Sequence, residues 1–596
     1  MTKPTSRLLA TGVLVCLGVA PLARAADRDV THDETDEILG RLEWFYGDRG
    51  MWDPIGADPL AGTFGKLRAE AALKTIALTE AQQRAHRAPA IWTNIGPAPI
   101  DRTGLAGDAT GRITGFAIDP TNPNIIYLGA SAGGVWKTTN GGTSWTPIFD
   151  QQPTQATGSI AVAPTNSNEV WVGTGDYNGD AYYPFYGMGA YRSTDAGATW
   201  QARNGSGPTA MLLTRITSVI LHPTNPSIVV IGGNSTSVGG GASPGGIFYS
   251  ADAGLTWSQA YSGDVLEVVR DSGNAAVLYA GAKNVGCLKS TDGGQTWVSS
   301  STGLNVAGNK VEIAISPSNP QTIYCMSENT DLYRTTDGAA TWTLANGNAC
   351  GGQCFYNMTM KVALNDPNTL YIGTLVPTKS TNGGTTITPL SGYGQKLHPD
   401  VQHIDRHPTD PNTIYVGTDG GLWKTPDAGT TFVNLNGNLS ITQFYDCGVH
   451  PTLDTIALAG AQDNGHAKYA GIPAWLPTAP TGDGMSAVIS PIDPLLWYVT
   501  YPNGAGRPQI FRSTNGGNGY TAIAGPITEP GDWFTPLALA PSTATRCTPG
   551  RRASGAAPTG ARPGRCCRAR RSTPSCVRSR WRRRTRTRST PAPTTI

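Results

Sequence analysis

Six side chains in the second half of the chain are of the types that move protons or hold hard cations. They are His398, Asp400 and His403, in His398-Pro399-Asp400-Val401-Gln402-His403-Ile404-Asp405, followed by Asp419, Asp463 and Asp483. Carboxylates and imidazoles that meet within hydrogen-bond reach act as general acids and bases, or as ligands of a hard metal. Taken singly, each also suits a turn or a strand edge, because a short Asp side chain caps its own backbone. Asp463 and Asp419 are the candidates for catalysis, and no metal site or cofactor is assigned. A second stretch, Gly175 to Gly187, carries Asp176, Tyr177, Asp180, Tyr182, Tyr183, Phe185 and Tyr186. Flat rings with polar edges suit stacking on sugar faces or gripping an extended peptide. The plain alternative is a loop packed over its own sheet.

These residues become a site only if the fold carries them to one place, and the sequence announces that fold by repetition. The phrase Ser/Thr-x-Asp/Asn-x-Gly-x-Thr/Ser-Trp returns cleanly at Thr138 to Trp145, Ser193 to Trp200, Ser250 to Trp257 and Ser290 to Trp297. Weaker copies run from Thr335 to Trp342, Ser380 to Ile387, Thr425 to Phe432 and Ser513 to Tyr520. A short Asp or Asn accepts backbone N–H groups just ahead of it, Gly closes the hairpin in the left-handed region, and Trp is expected to pack against the next unit. The Asp/Asn positions advance by 55, 57, 40, 45, 45, 45 and 88 residues, the last step covering two units with one box eroded. A period of about 40–50 residues is that of four-stranded propeller blades. Between boxes, runs such as Ile125-Ile126-Tyr127-Leu128-Gly129 read as strands. Helical periodicity is confined to a segment between Leu67 and His86.

Residues 1–25 read as a secretory signal peptide: Lys3 and Arg7, an apolar run from Leu8 to Leu22, then Ala23-Arg24-Ala25 before Ala26. That run is too short to favour a membrane span. Residues 26–91 form a charged, partly helical leader, 92–435 the first propeller, and 436–546 the start of a second, truncated one. From Cys547 to Ile596 there are fourteen Arg and no acidic residue. A shifted reading of Arg546 to Gly564 permits a complete strand and box whose Asp falls at Thr559, 44 residues after Asn515. The tail is therefore read as a frameshift product without function. The body that remains is acidic, which speaks against nucleic acid as a partner. Cys350-Gly-Gly-Gln-Cys354 suits a small disulfide-closed loop, and no Cys-x-x-Cys pair offers a thiolate zinc site.

With Gly133-Gly134-Val135-Trp136-Lys137 and Thr418-Asp419-Gly420-Gly421-Leu422-Trp423-Lys424 added to the boxes, the chain resembles the Asp-box (BNR) repeat proteins. These include sialidases, sortilin-type ectodomains and the xyloglucan-cleaving family 74 glycoside hydrolases. The resemblance implies an all-β fold, a seven-bladed propeller followed by an incomplete second one, with a single ten-bladed ring as the alternative. Sialidase chemistry is disfavoured, because Arg112-Ile113-Thr114 lacks the Phe/Tyr-Arg-Ile-Pro pattern. Resemblance to family 74 implies one catalytic Asp from the first blade of each propeller. Ala461-Gln462-Asp463-Asn464-Gly465 puts Asp463 in one slot, whereas Ala130-Ser131-Ala132-Gly133-Gly134 puts Ser131 in the other. Inversion needs two carboxyl groups about 6.5–9.5 Å apart, and serine cannot supply one. Asp176 and Asp180 are the candidate substitutes.

Two functions follow. The first is a secreted or periplasmic propeller that binds a polysaccharide or an extended peptide through a loop-built face. The second is a glycoside hydrolase of xyloglucanase or endo-glucanase type with Asp463 as one carboxylate.

Overall fold

The computed structural model describes residues 93–102, 107–177, 185–205, 211, 214–238, 241–243, 245–351, 353–478, 482–502, 509–523, 534–539 and 547–549. All lie in the larger of two units, Met1–Arg552 and Ala553–Ile596. The signal peptide, the leader with its helical segment, and nearly all of the Arg-rich tail fall outside the described residues, as do Asp180, Tyr182 and Tyr183.

Every element among the described residues is a strand. Nine four-stranded antiparallel meanders follow one another, spanning 113–147, 157–202, 215–262, 265–299, 311–346, 359–389, 401–434, 444–477 and 487–522. Two-stranded pairs occur at 236–243 and 537–549. Within each meander the second strand is the apolar run that the sequence marks. Ile126–Ala130, Leu278–Ala282, Ile323–Ser327, Ile414–Thr418 and Ala457–Ala461 are buried along their whole length, as strands covered on both faces must be. The fourth strand is often only two residues long and exposed, as at Thr146–Pro147 and Gln201–Ala202.

The core lies between sheets. Tyr127, Ile160, Val170 and Tyr191 join the first sheet to the second, and Tyr371, Ile404, Val416 and Trp423 join the sixth to the seventh. Ile113, Phe116 and Leu128 of the first sheet pack with Tyr415 and Leu422 of the seventh. First strands therefore pack in sequence order from 113–118 round to 401–406, which returns to 113–118. Backbones approach closely there: a Cβ on Gly158 would stand 2.1 Å from the Ile216 carbonyl of the next sheet.

The boxes act as turn staples. Ser193 Oγ donates to Asp195 Oδ1 (2.7 Å) and accepts from the Gly197 N–H (2.8 Å), while Thr199 donates its N–H to Oδ1 (2.8 Å) and its hydroxyl to Oδ2 (2.6 Å). Ala196 and Gly197 take φ of 57° and 89°, the left-handed region that such a turn requires. Four box tryptophans differ from expectation in direction, because they reach back to the preceding sheet, whereas Trp297 Nε1 donates within its own turn to Gly294 O (3.0 Å). Trp200 Nε1 donates to Ile148 O (2.8 Å), Trp257 to Arg203 O (2.9 Å) and Trp342 to Ser300 O (2.8 Å). Each acceptor directly follows the short last strand of the sheet before. Trp145 of the first sheet makes the same bond to Leu435 O (2.8 Å), just after the seventh.

Candidate functional site

Box turns join third strands to fourth. The turns joining second strands to third lie at the opposite end of each sheet, and that end gathers the chemistry. Ser131 follows Ile126–Ala130, Asp176 follows Asn166–Thr174, Asp419 follows Ile414–Thr418 and Asp463 follows Ala457–Ala461. First strands begin at this same end, so Arg112, Tyr356, Asp400 and Asp483 enter from just before strands Ile113–Ile118, Thr359–Val362, Val401–Arg406 and Ala487–Ile489.

One polar chain links these turns. Arg112, fully buried, donates to Asp176, to Ser131 Oγ (2.8 Å) and to Tyr356 Oη (3.0 Å). Tyr356 Oη donates to Asp419 Oδ2, whose carboxylate also accepts from Gln402 Nε2 (2.7 Å, at Oδ1) and Gln462 Nε2 (2.9 Å, at Oδ2). The same Gln462 nitrogen lies 3.1 Å from Asp463 Oδ2 and 2.9 Å from Tyr356 Oη. Asp400 accepts from Gln353 and from Asn357 Nδ2 (3.3 Å), and its carbonyl accepts the Asp419 N–H (3.2 Å). Asp483 Oδ1 accepts the Asp463 N–H (3.1 Å) and the Tyr445 hydroxyl (3.3 Å).

Asp400, Asp419 and Asp463 each present an oxygen within 4.8 Å of the other two. Burial and this crowding push the carboxyl groups of Asp400 and Asp463 up. Asp463 is held well above the usual carboxylate range by burial and then by Asp419, to which it is hydrogen-bonded. Asp400 is pushed up to about 7 by burial and Asp419, and Asp483 up to about 6 by burial. Asp400 and Asp463 hold φ of 62° and 54°, the left-handed region that is strained for a residue other than glycine.

The other expected residues distribute unevenly. His398 is buried beside the cluster, with Nε2 3.4 Å from the Asp463 carbonyl and its pKa lowered by burial and by Arg102. His403 lines the central cavity with Thr217, Glu267 and Glu312. It stands edge-on to Phe116 at 4.8 Å, and burial lowers its pKa to about 4. The cluster therefore takes one of the two histidines. Asp176 sits beside Ser131, whose Oγ donates to it at 2.5 Å, yet the Asp176 side chain is wholly buried against Arg112. Tyr177 packs inward and holds the Lys310 ammonium 5.1 Å from its ring centre; Phe185 accepts the Asp176 N–H (2.9 Å) at its carbonyl, and Tyr186 is half-buried.

Sequence reasoning missed Arg112, Gln353, Tyr356, Asn357, Gln402 and Gln462. The signal for Gln462 was its place beside Asp463. Gln353 and Tyr356 stand in and next to the Cys350–Cys354 loop, which the structure closes with a disulfide.

No known family profile matches the chain. Part of it is 27% identical over 186 residues to xyloglucanase Xgh74A of Acetivibrio thermocellus, covering 29% of this chain and 19% of that protein. It is 34% identical over 122 residues to a xyloglucanase of Hypocrea jecorina, covering 17% and 14%. The chain thus matches less than a fifth of the length of these relatives. Among solved structures, the GH74 xyloglucanase from Xanthomonas campestris superposes over 74% of this chain and 71% of its own, with a TM-score of 0.57 and 15% identity. A GH74 enzyme of Niastella koreensis gives a TM-score of 0.52 at 18% identity, over 74% and 70%. The fold is that of an all-β propeller protein of the GH74 type.

Proposed function

We propose that this chain is a glycoside hydrolase of the xyloglucanase or endo-glucanase type, acting on a β-linked polysaccharide. The observation that carries the reading is the meeting of Asp463, the carboxyl group marked by resemblance to family 74 enzymes, with Asp419 at the edge between the seventh and eighth sheets. The xyloglucanase relatives and the GH74 fold support hydrolysis over a purely binding role. Asp463, held protonated by burial and Asp419, donates the proton to the leaving glycosidic oxygen. Asp419, gripped by Tyr356, Gln402 and Gln462, is the second carboxylate. One oxygen of each lies within 4.8 Å of the other, so both carboxyl groups reach a single glycosidic bond. Seven sheets close the first ring in this reading, since the first packs on the seventh, and the eighth opens another. A secreted protein suits a polysaccharide substrate outside the cell.

A second reading, glycan binding without cleavage, draws on the first-blade slot, where Ser131 stands in a buried Arg112–Asp176 pair. Reducing-sugar release from a panel of xyloglucan, mixed-linkage glucan and carboxymethyl cellulose separates the two. Release abolished by Asp463→Asn supports hydrolysis; retention on the same polysaccharides in affinity gels without release supports binding.

A further inference from the structure

We propose that Phe355 and Tyr393 are stacking platforms for the pyranose rings of a β-linked polysaccharide, one on each of two loops that deliver residues to the acidic cluster. Both side chains are exposed, Phe355 at 53% and Tyr393 at 67%. Every other Phe, Tyr and Trp among the described residues is buried or half-buried, so exposed aromatic surface there is confined to these two rings. An aromatic ring carries a large apolar area that folding ordinarily removes from water, and leaving it uncovered beside a reactive cluster points to a ligand that covers it. Sugars with equatorial linkages present flat C–H faces to such rings, while their hydroxyl edges meet carboxylates and amides.

Both loops are braced from below. Phe355 stands between Gln353, which donates to Asp400, and Tyr356, which donates to Asp419, and its carbonyl accepts from the Lys310 ammonium (3.2 Å). Tyr393 lies between strands Thr388–Pro389 and Val401–Arg406, in the segment that also delivers His398 and Asp400. There Ser391 Oγ accepts the Lys396 N–H (3.1 Å), and Lys396 Nζ reaches the Leu390 carbonyl (3.0 Å) and the Thr430 carbonyl (2.9 Å). Burial, and then the charges of Asp400, Asp463 and Asp483, raise the Tyr393 phenol pKa, so its hydroxyl stands within the field of the cluster. Rings held on braced loops lose little freedom when a sugar stacks on them, which favours binding. The inference rests on the polysaccharide part of the proposed function and adds which residues hold the chain; it does not require that the chain be cut.

The test is affinity gel electrophoresis of the full chain in xyloglucan and in mixed-linkage glucan, with Kd taken from the retardation. Phe355→Ala and Tyr393→Ala should each raise Kd about three- to tenfold, the loss expected for one aromatic contact. Phe355→Trp and Tyr393→Phe should keep wild-type affinity, since the ring makes the contact. Leu255→Ala, 62% exposed on the opposite, box-turn rim, is the control and leaves Kd unchanged. Circular dichroism checks that each variant is folded. The proposal is overturned if the wild-type chain binds neither polysaccharide, or if either folded alanine variant keeps wild-type Kd. Binding that weakens in the alanine variants without any sugar release sinks the hydrolase reading alone. Sugar release with KM unchanged in both alanine variants sinks the platforms alone.

Discussion

Ser131 Oγ donates to Asp176 Oδ2 at 2.5 Å, so the turn of the first sheet reaches a carboxylate supplied by the second. The carboxylate is not free for chemistry, because Arg112 is paired with it and both side chains are 0% exposed. Removing one partner strands a buried charge. Asp176→Ala is expected to cost about 3–5 kcal/mol in urea unfolding, and Ser131→Ala about 1 kcal/mol. A folded Asp176→Ala of wild-type stability with lost activity would instead make Asp176 a reacting group.

The aspartate cluster sets a pH dependence of stability with a definite sign. Asp400 and Asp483 titrate near 7 and 6 in the folded chain, against 3.8 for the free side chain. The folded state thus holds protons that the unfolded state has released. Their favourable contribution is complete below about pH 4 and is lost as pH rises through 6 and 7. In EDTA, the melting temperature should fall between pH 5 and 8. Asp400→Asn, an amide at a left-handed position that Asn tolerates, should flatten that fall and melt higher than wild type at pH 8. A wild-type melting temperature that climbs over this range contradicts the assignment.

Hydrolysis by the Asp419–Asp463 pair predicts a loss of rate at both residues. Asp463→Asn removes the proton donor and should lower kcat by about 10²–10⁴-fold. Asp419→Asn removes the second carboxylate and should lower it at least as far, and unchanged sugar release by either folded variant would move the reaction away from this pair.

The disulfide loop predicts a redox effect on the site. Cys350–Cys354 closes the loop that carries Gln353 onto Asp400, and Tyr356 follows it onto Asp419. Cys350→Ser with Cys354→Ser should lower kcat about tenfold through misplaced donors, since small displacements in a site are costly. The melting temperature should move little, because a four-residue separation constrains the unfolded chain weakly. Equal kcat in the double variant would show that the loop positions nothing.

Much of the fold was legible because its signal is local. A Ser193, Asp195, Gly197 and Thr199 turn satisfies its own backbone, so spacing alone reports the repeat. The direction of Trp200 was not legible, since its acceptor, the Ile148 carbonyl, lies 52 residues away. Asp400, Asp419, Asp463 and Asp483 could be proposed together because repeats put equivalent turns at one end. Tyr356 could not, as its role follows from a meeting with Arg112, 244 residues distant, and with Asp419. His403 shows the limit of proximity in sequence: two residues after a strand's start, its side chain turns into the central cavity, three positions from Asp400 in the cluster.

The staple turns and the acidic turns cap opposite ends of the same third strand, as at Gly421–Thr425, which runs from the Asp419 turn to the Asp427 box. Assembly and reactivity are thereby assigned to separate rims. A sheet built this way can exchange one rim's residues and leave the stitching on the far rim untouched. Diversification of ligand preference then needs only point changes spread round a circle, with no redesign of the scaffold beneath.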